Sequence, residues 1–161
     1  MAKIVGTLGI IDTLTVAGCT FTDLVNIKVL GATNSTTANI STFRQTNVSP
    51  LPTSGYAVTS GKTLTIRAIK ALGNVTLASG NVGELSYGDS DCGMDGTTAV
   101  TNPKYWASST GGLGPFTGVP SNGGNVTMEA PVFFSVPQSK YINVTTVSWT
   151  NAVFMCFGME A

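Results

Sequence analysis

Apolar and polar residues alternate with period two along much of this chain. Val25, Ile27 and Val29 are separated by Asn26 and Lys28; Leu64 and Ile66 alternate with Thr63, Thr65 and Arg67; Ile142 and Val144 alternate with Tyr141, Asn143 and Thr145. Successive side chains of an extended strand point to opposite faces, so each run predicts a strand with one face buried. The same reading predicts strands over residues 4–11, 38–44, 82–87, 126–129, 132–136 and 152–159. Turn residues punctuate them, among them Ser60-Gly61, Gly73-Asn74, Ser121-Asn122-Gly123-Gly124 and Pro137-Gln138-Ser139. Many short strands joined by such turns predict an all-β fold, an antiparallel β-sandwich or jelly roll. Helical periodicity is nearly missing, and only residues 102–106 suit a single helical turn.

The last predicted strand breaks the one-faced pattern. Between residues 152 and 159 both alternating sets are apolar: Val153, Met155, Phe157 and Met159 on one, Phe154 and Cys156 on the other. A sheet with one solvated face would show a polar set, so one set is expected in the core and the other against a neighbouring sheet or subunit. Val153, Phe154, Met155 and Phe157 are the candidate interface residues. An internal echo also stands out. Val58-Thr-Ser-Gly-Lys62-Thr-Leu-Thr-Ile66 matches Val136-Pro-Gln-Ser-Lys140-Tyr-Ile-Asn-Val144 position by position. It reads either as one turn-plus-strand unit used twice, sending equivalent strands into opposite sheets, or as the ordinary grammar of β-proteins.

Composition sharpens the question of what covers this surface. Of the 161 residues only 10% are charged, the formal net charge is zero and histidine is absent. Soluble domains carry about a quarter charged residues. A surface this neutral is expected to be buried against other copies of itself or a larger particle. The length suits one domain over residues 1–161. Without histidine, general acid-base catalysis lacks its commonest agent, and no Gly-x-Ser-x-Gly elbow occurs; paired carboxylates acting as a glycosidase are the weakest of the readings weighed. The eight basic residues are dispersed, so a nucleic-acid footprint is missing. No run approaches the ~20 apolar residues of a membrane helix. The string Val16-Ala-Gly-Cys19 after an apolar stretch imitates a lipoprotein signal, but Asp12 interrupts that stretch. Cys19, Cys92 and Cys156 form neither a disulfide framework nor a zinc motif, and are expected to be reduced thiols of a protein folded in cytoplasm, with Cys156 in the core.

The longest stretch without clear alternation runs from Gly88 to Gly124, and long loops often carry function. Within it, Gly88-Asp-Ser-Asp-Cys-Gly-Met-Asp-Gly96 sets Asp89, Asp91 and Asp95 in a glycine-rich loop that offers oxygen ligands to calcium, or that caps its own turns. Tyr105 and Trp106 in the same stretch are candidates to stack on a sugar ring, or to anchor the loop to the core or a neighbour.

Ser86-Tyr-Gly-Asp89, Thr101-Asn-Pro-Lys-Tyr105 and the turn-plus-strand strings Ser60-Gly-Lys-Thr-Leu64 and Pro137-Gln-Ser-Lys-Tyr-Ile142 resemble small β-sandwich virion proteins of tailed bacteriophages. The resemblance extends from Tyr56 to the C-terminus. It implies a virion protein, assembled in the host cytoplasm, that decorates or cements a capsid by contact with itself and other virion proteins, commonly as a homotrimer. It also implies that residues 1–52 form a partly extended arm, rich in Thr, Asn and Ser between Gly31 and Pro52. The alternative is a receptor-binding fibre head or carbohydrate-binding module that uses Tyr105 and Trp106.

Overall fold

The computed structural model of the chain describes residues 13–22, 26–34, 40–75, 84–93, 99–106, 124–145 and 149–161. The described strands are β1 (Leu14–Val16), β2 (Cys19–Phe21), β3 (Ile27–Asn34), β4 (Ile40–Thr42), β5 (Arg44–Gln45), β6 (Leu64–Val75), β7 (Glu84–Gly88), β8 (Lys104–Tyr105), β9 (Gly124–Val136), β10 (Tyr141–Thr145) and β11 (Trp149–Glu160). β1 and β2 form a hairpin; β4-β10-β7-β8 form a four-stranded sheet and β5-β3-β11-β6-β9 a five-stranded one. All the pairings are antiparallel. No helix occurs among the described residues. The fold is an antiparallel β-sandwich.

The strand pairing is nested. With the hairpin and the two-residue β5 set aside, β3 pairs with β11, β4 with β10, β6 with β9 and β7 with β8. The chain is thus one long antiparallel ribbon folded over on itself, first strand beside last and fourth beside fifth. Alternation then decides the core. Leu30, Ile66, Ile69, Phe134, Phe154 and Cys156 of the five-stranded sheet meet Leu85, Ile142 and Val144 of the four-stranded sheet in a single apolar cluster.

The echoed strings occupy equivalent places in the two sheets. Gly61 and Ser139, at matching positions, both take left-handed backbone angles, with φ of 79° and 62°. The next residue closes the same turn in each: Lys62 N–H donates to Thr59 O at 3.0 Å, and Lys140 N–H to Pro137 O at 3.4 Å. From these turns β6 enters the five-stranded sheet and β10 the four-stranded one, each burying the seventh and ninth residues of its string, Leu64 and Ile66 or Ile142 and Val144. The two turns also bond to each other. Val58 donates to Lys140 O and accepts from Ser139 N–H, while Gly61 N–H donates to Gln138 Oε1 at 2.5 Å.

Three expectations change on meeting the structure, and one string that only imitated a signal takes a definite shape. Residues 102–106 make no helical turn; β8 lies there and pairs with β7. The strands expected at 126–129 and 132–136 are one strand, β9, in which Pro131 is tolerated because β9 is an edge strand. The signal-like string Val16-Ala-Gly-Cys19 is a two-residue hairpin turn, with φ of 50° at Ala17 and 77° at Gly18. Two successive positive angles define the turn that suits the twist of the flanking strands. Of the expected arm at 1–52, residues 27–34 and 40–45 are built into both sheets. The predicted strand at 4–11 lies outside the described residues.

The shared turn makes a sharp prediction. A Cβ on Gly61 would touch nothing within 4 Å, so only its backbone angle opposes a side chain there. Gly61→Ala is expected to cost about 1–2 kcal/mol in urea unfolding, while Ser139→Gly relieves the same strain and does not destabilise. Equal, negligible effects of both would remove the strained-turn account.

Candidate functional site

The acidic loop after β7 folds back over the outer side of the four-stranded sheet. Thr42, Asn143 and Ser86 stand side by side on β4, β10 and β7, and all are fully buried. Thr42 Oγ1 donates to Asn143 Oδ1 at 2.5 Å and accepts from Cys92 N–H at 2.7 Å; Thr42 N–H donates to Gly93 O at 2.7 Å. The loop therefore seals a buried polar stripe through main-chain bonds, which satisfies groups that would otherwise be costly to desolvate. Ser86 Oγ has no partner among the described residues.

The carboxylates of this loop point to separate tasks. Asp89 pairs with Lys140 and accepts from Asn102 Nδ2 at 2.8 Å, and the Lys140 bond holds its carboxyl below the usual range. Asp91 uses Oδ1 to accept from Gly93 N–H at 2.9 Å and Oδ2 to accept from Gly55 N–H at 2.7 Å. One thus ties the loop to the turn before β10, and the other ties it to the segment that follows β5. Asp95, the third candidate calcium ligand, lies outside the described residues. Among the described residues no three His, Cys, Asp or Glu side chains gather as a metal site. Tyr105 is half-buried on β8, and Trp106, also half-buried, packs against the main core, while its main-chain N–H donates to Leu85 O at 2.9 Å.

The candidate interface residues divide. Phe154 is fully buried between the sheets and is no surface group. Phe157 lies on the outer face of the five-stranded sheet, but Val16 and Phe21 of the β1–β2 hairpin cover it together with Ile27 and Ala68. Val153 stays 43% exposed and Met155 half-buried. Between them and β5 runs a groove of about 490 Å³, floored by Gly31 and walled by Arg44, Thr46, Leu51, Val153 and Met155. In the outward position between Val29 and Thr33 a Cβ on Gly31 would come within 2.8 Å of Thr46 Cγ2, so glycine there is what lets Thr46 lie against β3. Leu72, directly across from Val153, is 50% exposed, and Phe133 on edge strand β9 is 77% exposed. Sequence reading missed Leu72 and Phe133. A signal was there for Phe133, because Val132-Phe133-Phe134 cannot all face one side of a strand.

A second cluster clasps the C-terminal strand. The Glu160 carboxylate, 4% exposed, accepts from Tyr56 OH at 2.7 Å, Thr59 N–H at 2.7 Å and Thr59 Oγ1 at 2.9 Å, with Lys28 Nζ at 3.9 Å. Burial pushes its carboxyl up, and the bonds from Thr59 and Tyr56 outweigh that and hold it below the ordinary value. Tyr56 is driven the other way, first by burial and then by Glu160. Comparison of the chain with protein families, with curated proteins and with solved structures finds no match in any of the three.

Two predictions come from these bonds. Because the folded Glu160 carboxyl is depressed, its contribution is complete above the unfolded value near 4.5 and is lost as pH falls through the folded one. Stability should therefore drop on acidification below about pH 4.5, more steeply in the native chain than in Glu160→Gln, and identical pH profiles would refute the clasp. For the acidic loop, Asp91→Ala is expected to lower the melting temperature and added calcium to leave it unchanged. A calcium-dependent rise that Asp91→Asn abolishes would instead make the loop a metal site.

Proposed function

We propose that this chain is a structural protein of a bacteriophage virion, a capsid decoration or cement protein that acts by buried contact rather than catalysis. The observation that carries the reading is large apolar groups standing in water on a surface with few charges. Phe133 is 77% exposed and Leu72 50% exposed, in a chain with 10% charged residues and no net charge. Burying each such side chain is worth roughly 1.5–3 kcal/mol, so a few of them hold copies together, as a trimer, or against a shell without ion pairs. The nested strand order supports reading the sandwich as a jelly roll, an architecture that recurs in viral capsid proteins. The resemblance to small β-sandwich virion proteins points the same way, with assembly in the host cytoplasm.

The test is co-sedimentation of the purified chain with capsid shells assembled without it. Saturable binding that raises the temperature of shell disruption is expected, with at least a tenfold loss of affinity in Phe133→Ser/Leu72→Ser. Binding to surface polysaccharide instead of shells would favour the fibre-head or carbohydrate-binding alternative.

A further inference from the structure

The groove beside β5 holds a cation without a counter-charge. Phe43 is buried in the core, so by alternation Arg44 turns to the outer side of the sheet. There it stands in register with Gly31 of β3, which is in register with Met155 of β11. Leu51 and Pro52, in the segment after β5, form the opposite wall. That segment is held in place by its own bonds to β3. Thr46 N–H and Oγ1 donate to Val29 O at 2.8 and 3.0 Å, and Asn47 Nδ2 donates to Ile27 O at 2.9 Å. Gln45 Nε2 donates to Asn47 Oδ1 at 3.1 Å. The polar side chains that follow Arg44 are thereby committed elsewhere, and the groove is formed in advance of any occupant.

Other basic residues show what Arg44 lacks. Lys28, Lys70 and Lys140 each stand beside a carboxylate. Arg67 Nη1 donates to Thr20 O at 3.4 Å, and its guanidinium lies 5.6 Å from the centre of the Phe21 ring. Arg44 is half-buried, its Nε is shut off from water without an acceptor, and its guanidinium pairs with none of the described carboxylates. A guanidinium held partly out of water gains most from a carboxylate, which it meets with two parallel bonds.

We infer that this groove binds a small apolar carboxylate of the medium-chain fatty-acid type. Its carboxylate pairs with Arg44, and its chain crosses Gly31 toward Met155 and Val153, under Leu51. The volume of about 490 Å³ falls within the roughly 300–1,000 Å³ of small-molecule sites. From β5 across β3 to β11 is two strand spacings, about 10 Å, which matches an extended eight-carbon acid. One positive charge at an apolar wall selects one negative charge on an apolar body. A sugar would bring hydroxyls to Leu51, Val153 and Met155 that find no partner there. The site does not rest on the virion reading, because Phe133 and Leu72 lie outside the groove lining.

Calorimetric titration of the full chain with octanoate, kept below its micellar concentration, tests it. Saturable one-to-one binding is expected, weakened about tenfold or more in Arg44→Gln and less in Arg44→Lys, which keeps the charge but not the paired bonds. Octanol and acetate, each lacking one half of the ligand, should bind at least tenfold more weakly. Phe133→Ser/Leu72→Ser should bind octanoate as the native chain does. Loss of binding in that variant, with Arg44→Gln unaffected, would mean adhesion to exposed apolar surface and would overturn the proposal, as would equal binding of octanol or no binding of octanoate. On the native chain, an eight-carbon acid carrying a terminal diazirine should label Val153, Met155 or Leu51, and labelling only elsewhere would refute the site. None of these outcomes bears on shell binding through Phe133.

Discussion

The central strand β11 of the five-stranded sheet is apolar on both faces, and much of the architecture answers that constraint. This strand points Ala152, Phe154 and Cys156 one way and Val153, Met155 and Phe157 the other. A sheet of this kind cannot leave either side to water without forfeiting much of its burial energy. The inner side is met by Leu85, Ile142 and Val144 of the four-stranded sheet, and part of the outer side by the β1–β2 hairpin. Beyond the hairpin the outer side keeps a groove beside Val153 and Met155. Phe133 and Leu72 stay exposed, as does Leu51, and the first two are the residues proposed to meet a neighbour.

The described polar groups fasten loops and strand ends to the sandwich. Glu160 draws Tyr56, Thr59 and Lys28 onto the end of β11. Asp91 ties the loop after β7 to Gly55, and Asp89 ties it to Lys140 beside the second echoed turn. That turn and its counterpart at Ser60–Gly61 bond to each other where the ribbon folds over. Charge is scarce in this chain, and much of what it has secures loops to the sandwich.

Much of this was legible in the sequence because alternation reports faces directly. The β3, β6, β7, β9, β10 and β11 strands follow from it, and so does the two-faced character of β11. The echo was legible as a string, but only the matching angles at Gly61 and Ser139 distinguish a shared turn from common grammar. The hairpin was hidden because Val16-Ala-Gly-Cys19 has the composition of a processing site, and three-residue strands carry too little periodicity to be heard over it. Alternation also cannot say which neighbour covers an outward face. That is why Phe154 and Phe157 looked like interface residues until the sheets and the hairpin were placed, and why the exposure of Phe133 on an edge strand went unread. The partners of Asp89 and Asp91 depend on Asn102, Lys140 and Gly55, which approach only through the fold.

The central claim is that this protein associates through neutral apolar surface. Sedimentation velocity of the full chain at micromolar concentration, in low and in high salt, tests it most directly. The account predicts a discrete oligomer whose population is unchanged by salt, since screening acts on charges and few take part. A monomer under every condition, or an oligomer that dissolves as salt rises, would contradict it.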